Sequence, residues 1–112
     1  PGRIAGSTLK VAKAAGTSRL RLSWGASCSS GASDYGIYEG QIGNWYSHSS
    51  AVCTDIGADR SEEITYALGN RYYLVVPRNA TEEGSYGAAS NGVERPVGSS
   101  HCAPSQVIRS CP

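Results

Sequence analysis

The sequence predicts an all-β fold, a seven-stranded antiparallel β-sandwich, on three observations. The first is residues 18–24, Ser-Arg-Leu-Arg-Leu-Ser-Trp, where apolar and polar side chains alternate strictly. Leu20, Leu22 and Trp24 face one way and Arg19, Arg21 and Ser23 the other, the pattern of a strand with one face in a core and one in water. The second is the recurrence of turn residues between short apolar runs. The third is composition: 39% apolar residues, no Phe or Met, seven Tyr, two Trp and 14 Gly in 112 residues. Tyr and Trp bury large areas while keeping a polar tip, which suits a thin two-layer structure. A chain of this length has room for one core.

Taken in order, Leu9 and Val11 mark a first strand, ended near Ala14-Ala15-Gly16. Residues 19–24 form the second. A Ser/Gly/Ala loop carrying Cys28 leads to a third strand at 35–39, closed by Gly40. Residues 44–53 give a fourth, followed by a turn at 54–57. Ile64, Tyr66 and Leu68 alternate with Thr65 and Ala67 in a fifth, and Gly69-Asn70 is a tight-turn pair. Residues 72–76, Tyr-Tyr-Leu-Val-Val, are the most β-prone run; apolar on both faces, they are expected at the centre of a sheet. A loop at 77–84 leads to a last strand at 85–89, and past Pro96 the alternation stops. The expected core is Leu20, Leu22, Trp24, Tyr35, Ile37, Leu68, Tyr72, Leu74 and Val76. The chain thus divides into a leader (1–6), the sandwich (7–96) and a tail (97–112).

The formal net charge is +1, with ten basic and nine acidic residues scattered singly. No basic stripe exists for a phosphate backbone, so nucleic acid is not an expected partner. No apolar run approaches the ~20 residues that span a bilayer. The four cysteines, Cys28, Cys53, Cys102 and Cys111, are an even count in a small domain with a modest core. Two disulfides and an oxidising, extracellular compartment follow. No Cys-x-x-Cys pair supports zinc. Cys28–Cys53 and Cys102–Cys111 are the preferred pairings because both close local loops, the second closing the tail. The chain starts at Pro1 and reads as a mature or excised piece of a secreted protein. The leader has no evident tie within the chain, which points to contact with another copy.

The order of blocks resembles a fibronectin type III domain, an immunoglobulin-like sandwich. The Leu-x-Leu-x-Trp strand precedes Asp34-Tyr35-Gly36-Ile37-Tyr38-Glu39-Gly40, then Asn70-Arg71-Tyr72-Tyr73-Leu74-Val75-Val76, then Glu83-Gly84-Ser85-Tyr86-Gly87. More narrowly, residues 34–40, 72–79 and 83–96 with flanking cysteines resemble modules at the ends of secreted bacterial multidomain proteins. The resemblance implies a non-catalytic spacer, adhesion or accessory module.

No catalytic constellation is expected. His48 and His101 lie in Ser-rich stretches and read as solvated, and no Gly-x-Ser-x-Gly occurs. The pairs Glu62-Glu63 and Glu82-Glu83 read as surface charge, since adjacent strand residues point apart. Asp34, Asp55 and Asp59 carry calcium-type oxygens but lack a calcium-loop spacing, so no metal or cofactor is expected. Asn79-Ala80-Thr81 is a glycosylation pattern. Trp45 and Tyr46 are adjacent, so an extended backbone exposes one of them. With Tyr38 or Tyr86 it makes a candidate platform for sugar rings or a contact for another chain. The expected function is a structural or adhesive extracellular module working through protein–protein contacts, with self-assembly through an open sheet edge. The alternative is a carbohydrate- or matrix-binding accessory domain of a secreted hydrolase.

Overall fold

The structure, a computed structural model, describes residues 2–4, 8–13, 19–28, 31–55, 59–65 and 70–108. They hold eight strands and no α-helix: β1 (Lys10–Lys13), β2 (Arg19–Ser23), β3 (Asp34–Gln41), β4 (Asn44–Val52), β5 (Ser61–Thr65), β6 (Arg71–Arg78), β7 (Glu82–Glu83) and β8 (Ser105–Gln106). Two sheets result, one of three strands in the order β1-β2-β5 and one of five in the order β4-β3-β6-β7-β8. All pairs are antiparallel except β7 with β8.

The alternation that flags β2 does what it predicts. Leu22 is buried, Leu20 is half-buried, and Arg19 and Arg21 are exposed. Leu22, Trp24 and Ile64 from the first sheet meet Ile37 and Val75 from the second in one cluster. Tyr35 closes it with an edge-on contact to Trp24 at 5.7 Å, while its hydroxyl accepts the Ser27 N–H at 2.9 Å. Each fully buried aliphatic here stabilises by about 1.5–3 kcal/mol relative to exposure. Val11, which marks the first strand, is half exposed; β1 presents all four of its residues to solvent. Leu68 lies outside the described residues.

β6 is central, as its two apolar faces require. Val75 points into the shared cluster, whereas Leu74 and Val76 point to the opposite face of the five-stranded sheet. There they meet Tyr38, Tyr86 and Cys102, so a second core forms beneath segments that follow β7. Those segments overturn several expectations. Residues 85–89 make no strand; Ala88 forms a lone bridge with Glu94. The tail is not a separate loop. Ser105–Gln106 extends the sheet beside β7, Ser99 N–H donates to the His48 carbonyl, and Ser50 N–H donates to the Ser100 carbonyl.

The disulfide pairing also differs from the local one expected. Cys53 at the end of β4 is bonded to Cys102, which excludes both Cys28–Cys53 and Cys102–Cys111. Loop closure favours short loops only when nothing else brings cysteines together. Here the tail lies along β4 and places their Cα atoms 5.3 Å apart. Cys28 is disulfide-bonded as well, and Cys111 lies outside the described residues. The leader, expected to lack an internal anchor, has two. The Gly2 carbonyl accepts the Ser85 N–H at 2.8 Å, and the Arg3 carbonyl accepts the Cys28 N–H at 3.0 Å.

Asp34 ties the start of β3 to its neighbours. Its carboxylate accepts the N–H groups of Tyr35 (2.8 Å) and Asp55 (2.7 Å) and the Thr54 hydroxyl (2.9 Å), and it faces Arg78 at 3.3 Å. Burial acts to raise its pKa, but these hydrogen bonds and the guanidinium outweigh it and hold the carboxyl below its ordinary value. A depressed carboxyl stabilises the fold above its unfolded pKa, and that contribution is lost as pH falls through the folded value.

Two outcomes follow. Peptide mapping recovers a Cys53–Cys102 cross-link, and converting both to alanine lowers the unfolding free energy by about 4 kcal/mol, because 49 residues separate them. Asp34→Asn flattens the acid limb of stability below the ordinary aspartate pKa of about 3.9, measured by denaturant titration against pH.

Candidate functional site

The second core is polar at its centre. Glu83, 1% exposed, accepts hydroxyl hydrogen bonds from Tyr38 (2.6 Å, Oε2) and Tyr86 (2.5 Å, Oε1). The Tyr38 oxygen accepts the Cys102 N–H at 2.8 Å, so β3, β7 and the tail meet at one carboxylate. Charge-assisted bonds of this kind offset the cost of burying a carboxylate. Desolvation by burial, followed by the hydrogen bond to Glu83, pushes the Tyr38 phenol up to about 12. Burial, with Glu83 and then Tyr38 as neighbours, likewise pushes Tyr86 up.

These positions correct the sequence reading. Tyr38 (0% exposed) and Tyr86 (2% exposed) were candidates for a binding surface and are core residues. Glu83 is not surface charge, and His48, also 1% exposed, is not solvated. His48 sits on β4 facing the same cluster, with its ring 5.4 Å from Tyr86. Its Nε2 lies 2.7 Å from the Pro96 carbonyl, which can only accept, so Nε2 carries a proton. In the neutral ring Nδ1 is then the acceptor for the Tyr72 hydroxyl, 2.9 Å away. Sequence periodicity missed these residues because their cover comes from the aperiodic tail.

Tyr72 carries the cluster to the surface. Its ring lies across Gly40 of β3, where any Cβ would collide with it. Trp45, 60% exposed, packs on it with ring centroids 5.4 Å apart. Tyr46, 52% exposed, stands beside them with φ +68°, a left-handed conformation uncommon outside glycine. Both neighbours are exposed, rather than one of the two as an extended backbone would have it, because the chain leaves the extended region at Tyr46. These rings, with Tyr73, Leu74, Ser90, Asn91 and Arg95, line a groove of about 560 Å³. Aromatic rings in one groove with an amide, a hydroxyl and a guanidinium are chemistry that can hold a sugar ring by its apolar face and its hydroxyl edge.

The other candidates fall elsewhere. Asn79 closes a loop: its Oδ1 accepts the N–H groups of Thr81 and Glu82, and its Nδ2 donates to the Gly31 carbonyl at 3.3 Å. The nitrogen a glycan would occupy is therefore engaged. Asp34 is held by Arg78, while Asp55 and Asp59 lie with Glu62, their oxygens within 4.8 Å of one another. Desolvation pushes the Asp55 carboxyl up, with Asp59 adding to it. His101 is exposed.

Glu83→Ala leaves two buried phenols without their acceptor and is expected to cost at least about 3 kcal/mol in denaturant unfolding. A raised phenol stabilises the fold fully below its ordinary pKa of about 10 and loses that contribution as pH rises toward about 12. Ultraviolet titration should therefore show Tyr38 and Tyr86 ionising only together with alkaline unfolding. Comparison with protein-family models, with curated proteins and with solved structures finds no match for this chain.

Proposed function

We propose that this chain is a non-catalytic extracellular adhesive module that binds carbohydrate or glycan-bearing matrix in the Trp45–Tyr46–Tyr72 groove. The observation that carries the reading is an exposed tryptophan seated on a tyrosine whose hydroxyl is bonded to a buried histidine. Exposed aromatics are common, but one fixed from beneath loses little side-chain freedom on binding, and preorganisation of this kind converts contact into affinity. Arg95, Asn91 and Ser90, which line the same groove, supply polar partners.

The fold belongs to the same proposal. The strand order β1-β2-β5 against β4-β3-β6-β7 supports a fibronectin type III-like sandwich, and the cluster shared between the sheets supports face-to-face packing. Eight strands in place of seven arise because the tail adds β8. An intramolecular disulfide supports an oxidising, extracellular setting, and among the described residues no helix is long and apolar enough to cross a membrane. The non-catalytic reading is supported by the burial of His48 and Glu83, which leaves neither able to touch a substrate. Assembly through the leader loses its motive, because Gly2 and Arg3 are bonded within the chain.

A glycan array followed by titration of each hit tests the reading. Trp45→Ala is expected to weaken binding at least tenfold, about 1.4 kcal/mol or more, with thermal stability unchanged, since truncated central aromatics dominate binding energy. Unchanged binding by Trp45→Ala, or no glycan bound by the parent chain, would sink it.

A further inference from the structure

β6 has two edges, and they are treated differently. One is paired along its whole length with β3, from Asp34↔Arg78 to Gln41↔Arg71. The other meets β7 only at Arg78↔Glu83, with one more bond from the Gly84 N–H to the Pro77 carbonyl at 2.7 Å. In an antiparallel ladder alternate residues turn their N–H and C=O to the same side. Val75 and Tyr73 therefore present theirs on the side of the Pro77 carbonyl. Among the described residues no backbone hydrogen bond reaches them there.

The reason lies in what draws the following segment away. Continued in register, Tyr86 would face Val75 and Ala88 would face Tyr73. Instead Tyr86 N–H goes to the Glu94 carboxylate at 2.7 Å. Gly87 then takes φ +86°, and its carbonyl accepts the Arg95 N–H. A second cavity of about 590 Å³ opens beside the vacated edge, bordered by Leu74, Val75 and Ala88 and by the guanidinium groups of Arg3 and Arg95. Among the described residues neither arginine has an acidic partner.

We propose that this edge is a docking site for an extended peptide segment of another protein, one that adds a strand to β6 and brings a carboxylate to Arg95 and Arg3. Unpaired backbone groups at strand spacing call for a peptide backbone, which alone supplies donors and acceptors at that repeat. Two arginines without an acidic partner among the described residues, at the same opening, select an acidic side chain. The site borders the aromatic groove at Arg95 and does not depend on glycan binding there.

The test is amide hydrogen exchange by NMR on the full chain, with the synthetic peptide Ser-Thr-Val-Asp-Val-Thr-Ser as probe. In the free chain the Tyr73 and Val75 amides should exchange at least ~100-fold faster than those of Leu74 and Val76, which bond to β3. The peptide should slow those two amides, and a version with Lys for Asp should bind several-fold more weakly. Tyr73→Pro removes an N–H that β3 does not use. Pro77 already occupies the same side of the strand, so the fold should persist while peptide binding is lost. If that variant does not fold, N-methylation of the peptide at its central residues must abolish binding to the parent chain. Three results would overturn the proposal. These are protection of Tyr73 and Val75 in the free chain at every dilution, protection that rises with the chain's own concentration, or undiminished binding by folded Tyr73→Pro or by the methylated peptide.

Discussion

The buried carboxylate of Glu83 is the constraint around which half of this molecule is arranged. A lone carboxylate in a core must be matched by donors, and the donors here are two phenols on different segments. Satisfying it fixes Tyr38 on β3 against Tyr86 beyond β7 and draws Cys102 onto the Tyr38 oxygen. It also gives His48 a ring to lie on. The exposed Trp45 is the last member of that chain of contacts, reached through Tyr72. Surface chemistry is thus set from below, by a group that no ligand touches.

A second arrangement shapes the edge of β6, and it is a competition among backbone partners. Tyr86 could have continued the ladder. Glu94 takes its N–H together with the Ser85 hydroxyl, while the Ser85 N–H, which faces away from β6, goes to Gly2. Carboxylate acceptors bind more strongly than neutral carbonyls, so Glu94 outbids a ladder position. Gly84 permits the crossing, because a side chain there would meet the Gly2 backbone. The leader is therefore a structural part of the domain, bonded on the side of this segment that faces away from β6.

The strands were legible where one physical rule dominated. β2 follows from two-residue alternation and β6 from apolar residues on both faces, and both stand where they were expected. Leu22, Trp24, Ile37 and Val76 were recoverable for the same reason. The tail was not, because residues 97–108 carry no period; their order comes from β4, the disulfide and the carbonyl of His48. Glu83 and His48 were misjudged with it, since only that tail and the segment after β7 take them out of water. Trp45 and Tyr46 were found because adjacent bulky aromatics cannot both enter one core, although the left-handed Tyr46 exposes both. Residues 85–89 have strand chemistry but lose their pairing to partners distant in sequence, which no local pattern encodes.

The Cys53–Cys102 bond has a mechanical meaning. Traction applied to β8 itself peels it from β7, a pair held by few hydrogen bonds. Unravelling can proceed only as far as Cys102, where the load passes through sulfur to the end of β4. The 49 residues between the two cysteines, with β5, β6, β7 and Glu83 among them, are bypassed by that tension. The bond acts as a shunt, and the aromatic groove and the open edge of β6 keep their shape while β8 is under strain.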